Sequence, residues 1–179
     1  MPFDIPDSWV WARLGNVVNI NPRNNIGDNV CVSFVEMRAL KEGFNNSFTC
    51  EPRQWPQVKS GFTHFKDGDV GFAKITPCFQ NRKSAVFVNL LNSYGAGTTE
   101  LHILRAYSNT IVPEYLLWFV KSPYFIEWGK QNFSGTAGQQ RFGTEEVKKT
   151  FIPIPPLKEQ KRIVEKIRQA LDGVRKDED

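Results

Sequence analysis

Residues that bind metals or build catalytic clusters are scarce in this chain, and the few present are scattered. Cys31, Cys50 and Cys78 are far apart and odd in number, with no Cys-x-x-Cys pair, and His64 and His102 stand alone. A zinc site needs clustered ligands, so no metal is expected. Three reduced thiols fit a cytoplasmic protein. Met1-Pro2-Phe3-Asp4 offers neither a basic nor an apolar leader region, and no apolar run approaches the ~20 residues that span a bilayer. A soluble chain without membrane contact is expected. There is no Gly-x-Gly-x-x-Gly and no P-loop. The Asn/Asp-Pro-Pro-aromatic motif of amino-methyltransferases is missing, because Ile154 and Leu157 flank Pro155-Pro156. Glu146-Val147-Lys148 matches a metal-nuclease Glu-x-Lys by letters, but it sits in a short helical stretch rather than on a strand. His102, on an apparent strand, reads as a satisfied structural histidine. No catalytic residue and no cofactor are expected.

What is plentiful points elsewhere. The 179 residues are 40% hydrophobic and 13% aromatic, which excludes a disordered chain and leaves room for one cored domain plus an appendage. The net charge of +4 mildly favours an acidic partner, nucleic acid first.

The first two-thirds read as mostly β. Trp9-Val10-Trp11 suggests a strand, followed by a short helical turn. Residues 19–29 are a loop rich in Asn, Pro and Gly, and residues 30–35 are β-like. Residues 41–63 look like loops with short strands. After the turn Lys66-Asp67-Gly68-Asp69, strands fit residues 70–75, 85–90 and 99–104. The period then changes. Pro113 opens a helix through Leu116, Leu117 and Val120, and Ser122 caps another that Gly129 can end. Residues 132–143 read as a polar loop, and Thr144 as the cap of a short helix. Phe151-Ile152-Pro153-Ile154-Pro155-Pro156 is a rigid extended segment, because its prolines fix φ. From Leu157 the chain is helical and charged. Leu157, Val164, Ile167, Leu171 and Val174 follow coiled-coil steps if Gln160 fills the missing slot.

The charge map is more specific. Residues 70–99 contain no carboxylate but hold Lys74, Thr76, Gln80, Asn81, Arg82 and Lys83. Residues 129–144 again lack Asp and Glu, and include Lys130, Gln139, Gln140 and Arg141. A phosphate backbone repels acids. Arg and Lys pair with phosphates or guanine edges, and Asn and Gln with adenine edges. Two ordinary polar loops would carry the same letters.

Several segments, in order along nearly the whole chain, resemble a known family. Ile5-Pro6-Asp7-Ser8-Trp9 leads to Arg13-Leu14-Gly15. Then come Gly68-Asp69-Val70-Gly71-Phe72-Ala73-Lys74-Ile75-Thr76-Pro77-Cys78 and Gly97-Thr98-Thr99-Glu100-Leu101-His102-Ile103-Leu104-Arg105. Gly135-Thr136-Ala137-Gly138-Gln139-Gln140-Arg141 and the junction Ile152-Pro153-Ile154-Pro155-Pro156-Leu157-Lys158-Glu159-Gln160-Lys161-Arg162-Ile163-Val164 complete the set. Together they resemble one half of the DNA-sequence specificity subunit of type I restriction–modification systems. Arg82 stands where that family leads one to expect glycine.

The resemblance implies an α+β target recognition domain over residues 1–152, with a curved β core and peripheral helices. A proline-rich junction and the start of a spacer helix follow over residues 153–179. It implies a non-catalytic subunit that reads double-stranded DNA at a bipartite site and positions methyltransferase subunits and a restriction/translocase subunit. With one recognition domain present and the helix ending early at Asp179, it implies an excised half or a natural half-subunit, completed by a second domain or a homodimer through the helix. A symmetric homodimer implies a palindromic target. On this reading Lys74, Thr76, Gln80, Asn81, Lys83, Gln139, Gln140 and Arg141 meet DNA, and Leu157, Val164, Ile167 and Leu171 pack the helix. The competing expectations are an assembly module that binds a methyltransferase through its helix and touches DNA little, and an autonomous nuclease.

Overall fold

The computed structural model describes residues 2–177; Met1, Glu178 and Asp179 lie outside the described residues, and with them the Asp179 end of the expected spacer helix. The chain opens with β1 (Val10–Arg13), a single turn α1 (Leu14–Val17) and β2 (Val18–Ile20). After a loop come β3 (Cys31–Val35), β4 (Glu51–Gln54), the one-turn α2 (Trp55–Val58) and β5 (Thr63–Lys66). Next are β6 (Val70–Ala73), β7 (Ser84–Val86), β8 (Tyr94–Gly97) and β9 (Leu101–Ala106). The helical third holds α3 (Pro113–Val120), α4 (Pro123–Gln131), a small ribbon of β10 (Phe133–Ser134) and β11 (Arg141–Phe142), and α5 (Thr144–Lys149). β12 (Phe151–Ile154) then runs into α6 (Leu157–Asp177).

The expected α+β class holds, as two four-stranded sheets and a helical layer. One sheet has the order β2-β9-β6-β7, antiparallel throughout. The other has the order β4-β3-β8-β5, with β3 and β8 parallel. The first sheet is the middle layer, and its alternation shows why. Val70, Phe72 and Leu104 enter the core shared with α3, α4 and α5, whereas Leu101 and Ile103 enter the core shared with the second sheet. Gly71 fits between them only without a side chain, since a Cβ there would lie 2.4 Å from the Phe87 ring. Phe87 in turn stacks on Phe65 of β5, ring centroids 3.9 Å apart, and joins the two sheets.

Some boundaries differ from the sequence reading. The strand expected over residues 85–90 ends at Val86. β5, β8 and α2 were hidden in stretches that lack a clear period. Gly129 does not end α4 but lies inside it, buried, because a Cβ there would meet the Phe79 ring at 2.2 Å. Ser122 does cap α4, its hydroxyl accepting from Phe125 N at 3.2 Å. Residue 143, not Thr144, occupies the cap of α5. The proline segment is a strand: Pro153 and Ile154 continue the antiparallel ladder with Trp11 and Val10.

The helix seam is built differently from the expected coiled coil. Gln160 does fill the missing slot, fully buried. Its Oε1 accepts from Val112 N at 2.8 Å, and its Nε2 donates to Thr110 O and Pro155 O. Val164 is buried in the core beside α3. Ile167 and Leu171 are half-buried, each lining a groove beside Trp118. Much of the seam therefore lies on the chain's own α3. Leu157 is an exception, 42% exposed at the first residue of α6 although it shares the face of Gln160 and Val164. Val174 is exposed as well.

Candidate nucleic-acid interface

The two acid-free spans meet in space, but only in part. An isolated bridge pairs Ile75 with Arg141, Thr76 N donates to Gln140 O at 3.1 Å, and Phe142 N donates to Lys74 O at 2.9 Å. These bonds bring Lys74, Thr76, Gln140 and Arg141 together at the root of the loop over residues 135–140. Gly135 and Gly138 hold φ of +108 and +82, a left-handed region that glycine enters without strain, so the loop turns sharply there. Residues 134–139 are all exposed, Gln139 among them.

The base of this loop is pinned from below by His102. The imidazole is 1% exposed; its Nε2 donates to Phe142 O at 2.7 Å, and its Nδ1 accepts from the Asn21 amide at 3.2 Å. Burial pushes its pKa down to about 4, so the ring is neutral near pH 7. This is the satisfied structural histidine that the sequence suggested.

The charges at this site are not free of acids. Arg141 forms a bidentate pair with Glu100, Nε to Oε2 at 2.9 Å and Nη2 to Oε1 at 2.8 Å. The bond from Arg141 holds the Glu100 carboxyl below its ordinary range, and Lys74 adds to the effect. Glu100 is the first residue beyond the acid-free span, and the fold turns it straight back onto Arg141.

The remaining expected residues lie in a second cluster. Gln80 is exposed. Asn81 donates its amide to Glu42 at 3.4 Å, and Lys83 faces the same carboxylate at 3.7 Å with only 15% of its side chain exposed. Lys83 thus has an acid facing it, because the loop over residues 41–46 supplies a carboxylate that the local composition lacks. Below it, Lys121 is fully buried, its Nζ donating to Gly43 O at 2.9 Å and Arg82 O at 2.8 Å. Burial first, and the Arg82 charge second, lower its pKa to about 7. Arg82 has φ of +59, the left-handed region that suits the glycine expected there. Its cost is offset by the Nε bond to Lys121 O at 2.9 Å and by stacking of the guanidinium over Phe44.

The loop of residues 19–29, which its composition marks only as a loop, stands beside this site. Asn21, itself at φ +53, and Arg23 flank a cleft of ≈ 340 Å³ that reaches Lys74 and Thr99. Arg23 donates to Phe62 O at 2.8 Å and Lys59 O at 2.7 Å. The one available signal was an Arg within Asn-Pro-Arg-Asn-Asn. Glu146 and Lys148, the nuclease-like letters, lie on α5, paired with Lys149 and Glu145 respectively.

Comparison with known proteins agrees with the fold. The family described as type I restriction modification DNA specificity domain matches residues 6–175. The EcoAI specificity subunit of a type I restriction enzyme from Escherichia coli is 42% identical over 171 residues, covering 95% of this chain and 29% of the relative. The EcoEI specificity subunit, also from Escherichia coli, is 40% identical over 164 residues, covering 91% of this chain and 28% of the relative. This chain thus spans less than a third of the length of these curated relatives. The crystal structure of the HsdS subunit from Thermoanaerobacter tengcongensis superposes with a TM-score of 0.79 at 23% identity, covering 98% of this chain and 45% of that one. The described helices include none long and apolar enough to cross a membrane. The chain belongs to the type I restriction modification DNA specificity domain family.

Proposed function

We propose that this chain recognises a specific DNA sequence for a type I restriction–modification complex, and that it does so as a non-catalytic cytoplasmic module. Family membership across residues 6–175 is the observation that carries this reading. The geometry supports a location for the contact: the loop of residues 135–140, with Gln139, Gln140, Arg141, Thr76 and Lys74 at its tip and root. There Gln side chains offer the paired donor and acceptor that an adenine edge matches, while Lys74 and Arg141 meet phosphates or guanine. Gln80, Asn81 and Lys83 fall to a peripheral role, because Glu42 competes for two of them.

On this reading residues 1–152 form the target recognition domain and residues 153–179 the junction and first turns of the spacer. The described helix stays beside α3 past Val164, and the half-buried Ile167 and Leu171 with the grooves they line beside Trp118 are where a second domain or a second copy would pack. Methyltransferase subunits and a restriction/translocase subunit are the proposed partners.

Co-expression of the chain with a cognate methyltransferase subunit, followed by mapping of methylated adenines across the host genome, tests the proposal. A single recurrent motif supports it. A palindromic bipartite motif points to a homodimer, and an asymmetric one to a second recognition domain. Methylation that is the same with and without this chain ends the proposal.

A further inference from the structure

We infer that the cleft between the 19–29 loop and β6 seats a backbone phosphate of duplex DNA, held by Arg23 and Lys74; the inference rests on DNA recognition by the neighbouring loop. The lining of the cleft includes no acid, and its two cations come from separate parts of the chain. Arg23 is fixed before any ligand arrives, because Phe62 O and Lys59 O take one N–H from each terminal nitrogen. A guanidinium carries five N–H donors, so three remain for an anion with little rotamer entropy left to lose. Lys74 is fixed through its backbone, its N–H donating to Glu100 O and its carbonyl accepting from Phe142 N, both at 2.9 Å. The acid near it, Glu100, has both carboxylate oxygens engaged by Arg141.

The remaining polar groups decide between a phosphate and a base. A base edge is read by paired donors and acceptors. Here Asn21 spends its amide inside the fold: Oδ1 accepts from Ile103 N at 2.9 Å, and Nδ2 reaches His102. The Thr63 hydroxyl shares its single proton between Gly97 O and Thr98 O. The Nδ1 of His64 accepts from Asn24 N at 3.2 Å, and burial with the nearby Arg23 charge lowers the imidazole pKa, so His64 stays neutral near pH 7. The amide that could read a base is committed, and what the cleft offers outward is the N–H donors and charge of Arg23 and Lys74 together with the Thr99 hydroxyl, which can donate to a phosphate oxygen. Phe142 N bonded to Lys74 O ties this seat to the root of the reading loop, so a phosphate held here sets the register of the strand that the loop reads.

The test is the salt dependence of binding to a mixed-sequence duplex by fluorescence anisotropy, for the wild type, Arg23→Gln and Lys74→Met. Both substitutions keep most of the side-chain length, and thermal melts verify that the variants fold. The inference expects each variant to flatten the slope of log K against log salt by about 0.9, with equal loss on any duplex sequence. Unchanged slopes in both variants, with the wild type still binding duplex, overturn the phosphate seat and leave the DNA reading intact, whether or not millimolar inorganic phosphate binds the cleft. A changed sequence preference at unchanged slope also overturns it, in favour of a base contact. A wild type that binds no duplex overturns the DNA reading on which the seat depends.

Discussion

Residues 70–99 and 129–144 look alike as text and behave differently in space. Both are cationic and free of carboxylates. In the first, the turn carrying Asn81 and Lys83 folds onto Glu42, and Lys121 reaches up beneath it to Gly43 and Arg82. In the second, Arg141 meets Glu100, but the tip of the loop stays exposed and its root stands beside Lys74. An acid-free stretch is free of acids only along the chain. The partner of Lys83 lies on the loop before β4 and that of Arg141 in the turn just before β9, distances that composition cannot see. The turn of residues 80–83 is thus built as a structural joint, and the 135–141 loop with its neighbouring cleft is the face we propose for binding.

Substitutions can break this contrast. The largest effect is expected at the joint. Lys121→Ala leaves the Gly43 carbonyl unpaired, removes one of the two donors to Arg82 O and opens a void in the core, and should cost about 3 kcal/mol in a urea unfolding measurement. The pH dependence follows from its depressed pKa. The folded chain releases this proton near pH 7 and the unfolded chain near 10.5, so the unfolded state binds more protons in between. Wild-type stability should therefore gain a rising component between pH 7 and 10 that Lys121→Met lacks.

On the binding side, His102→Leu strands the Phe142 carbonyl and the Asn21 amide, and should cost about 2 kcal/mol. The folded pKa of His102 is depressed from 6.5 to about 4, so its stabilisation is fully present above pH 6.5 and is lost as pH falls toward 4. The difference between wild-type and His102→Leu stability should shrink across that window. Glu100→Gln removes the acid that restrains Arg141 and Lys74, so duplex affinity should rise by about threefold at low salt and converge with wild type at high salt. The smallest effect belongs to Lys83→Met. With its charge already facing Glu42, duplex affinity should change by no more than about twofold. A loss as large as that of Lys74→Met would erase the distinction between joint and binding face.

Much of the architecture was legible in the sequence because it rests on local signals. Pro113 and Ser122 mark the starts of α3 and α4, and the turn before Val70 marks β6. Gln160 was visible as a gap in the heptad, although not that three hydrogen bonds would turn the seam onto α3. Other features depend on remote packing. Gly129 reads as a helix stop until Phe79 is seen against it, and β8 shows no alternation because Gly95 and Gly97 serve to clear Phe65. At the candidate interface, the ordered motifs revealed the 135–141 loop. The cleft stayed hidden because Arg23 and Lys74 are joined only by the fold.

The central claim is that the 135–141 loop reads sequence. Its most direct test is selection of binders from a random duplex pool by the wild type and by Gln140→Ala. The account predicts that each enriches a short motif and that the two motifs differ at one or more positions. Identical motifs from both proteins would contradict it.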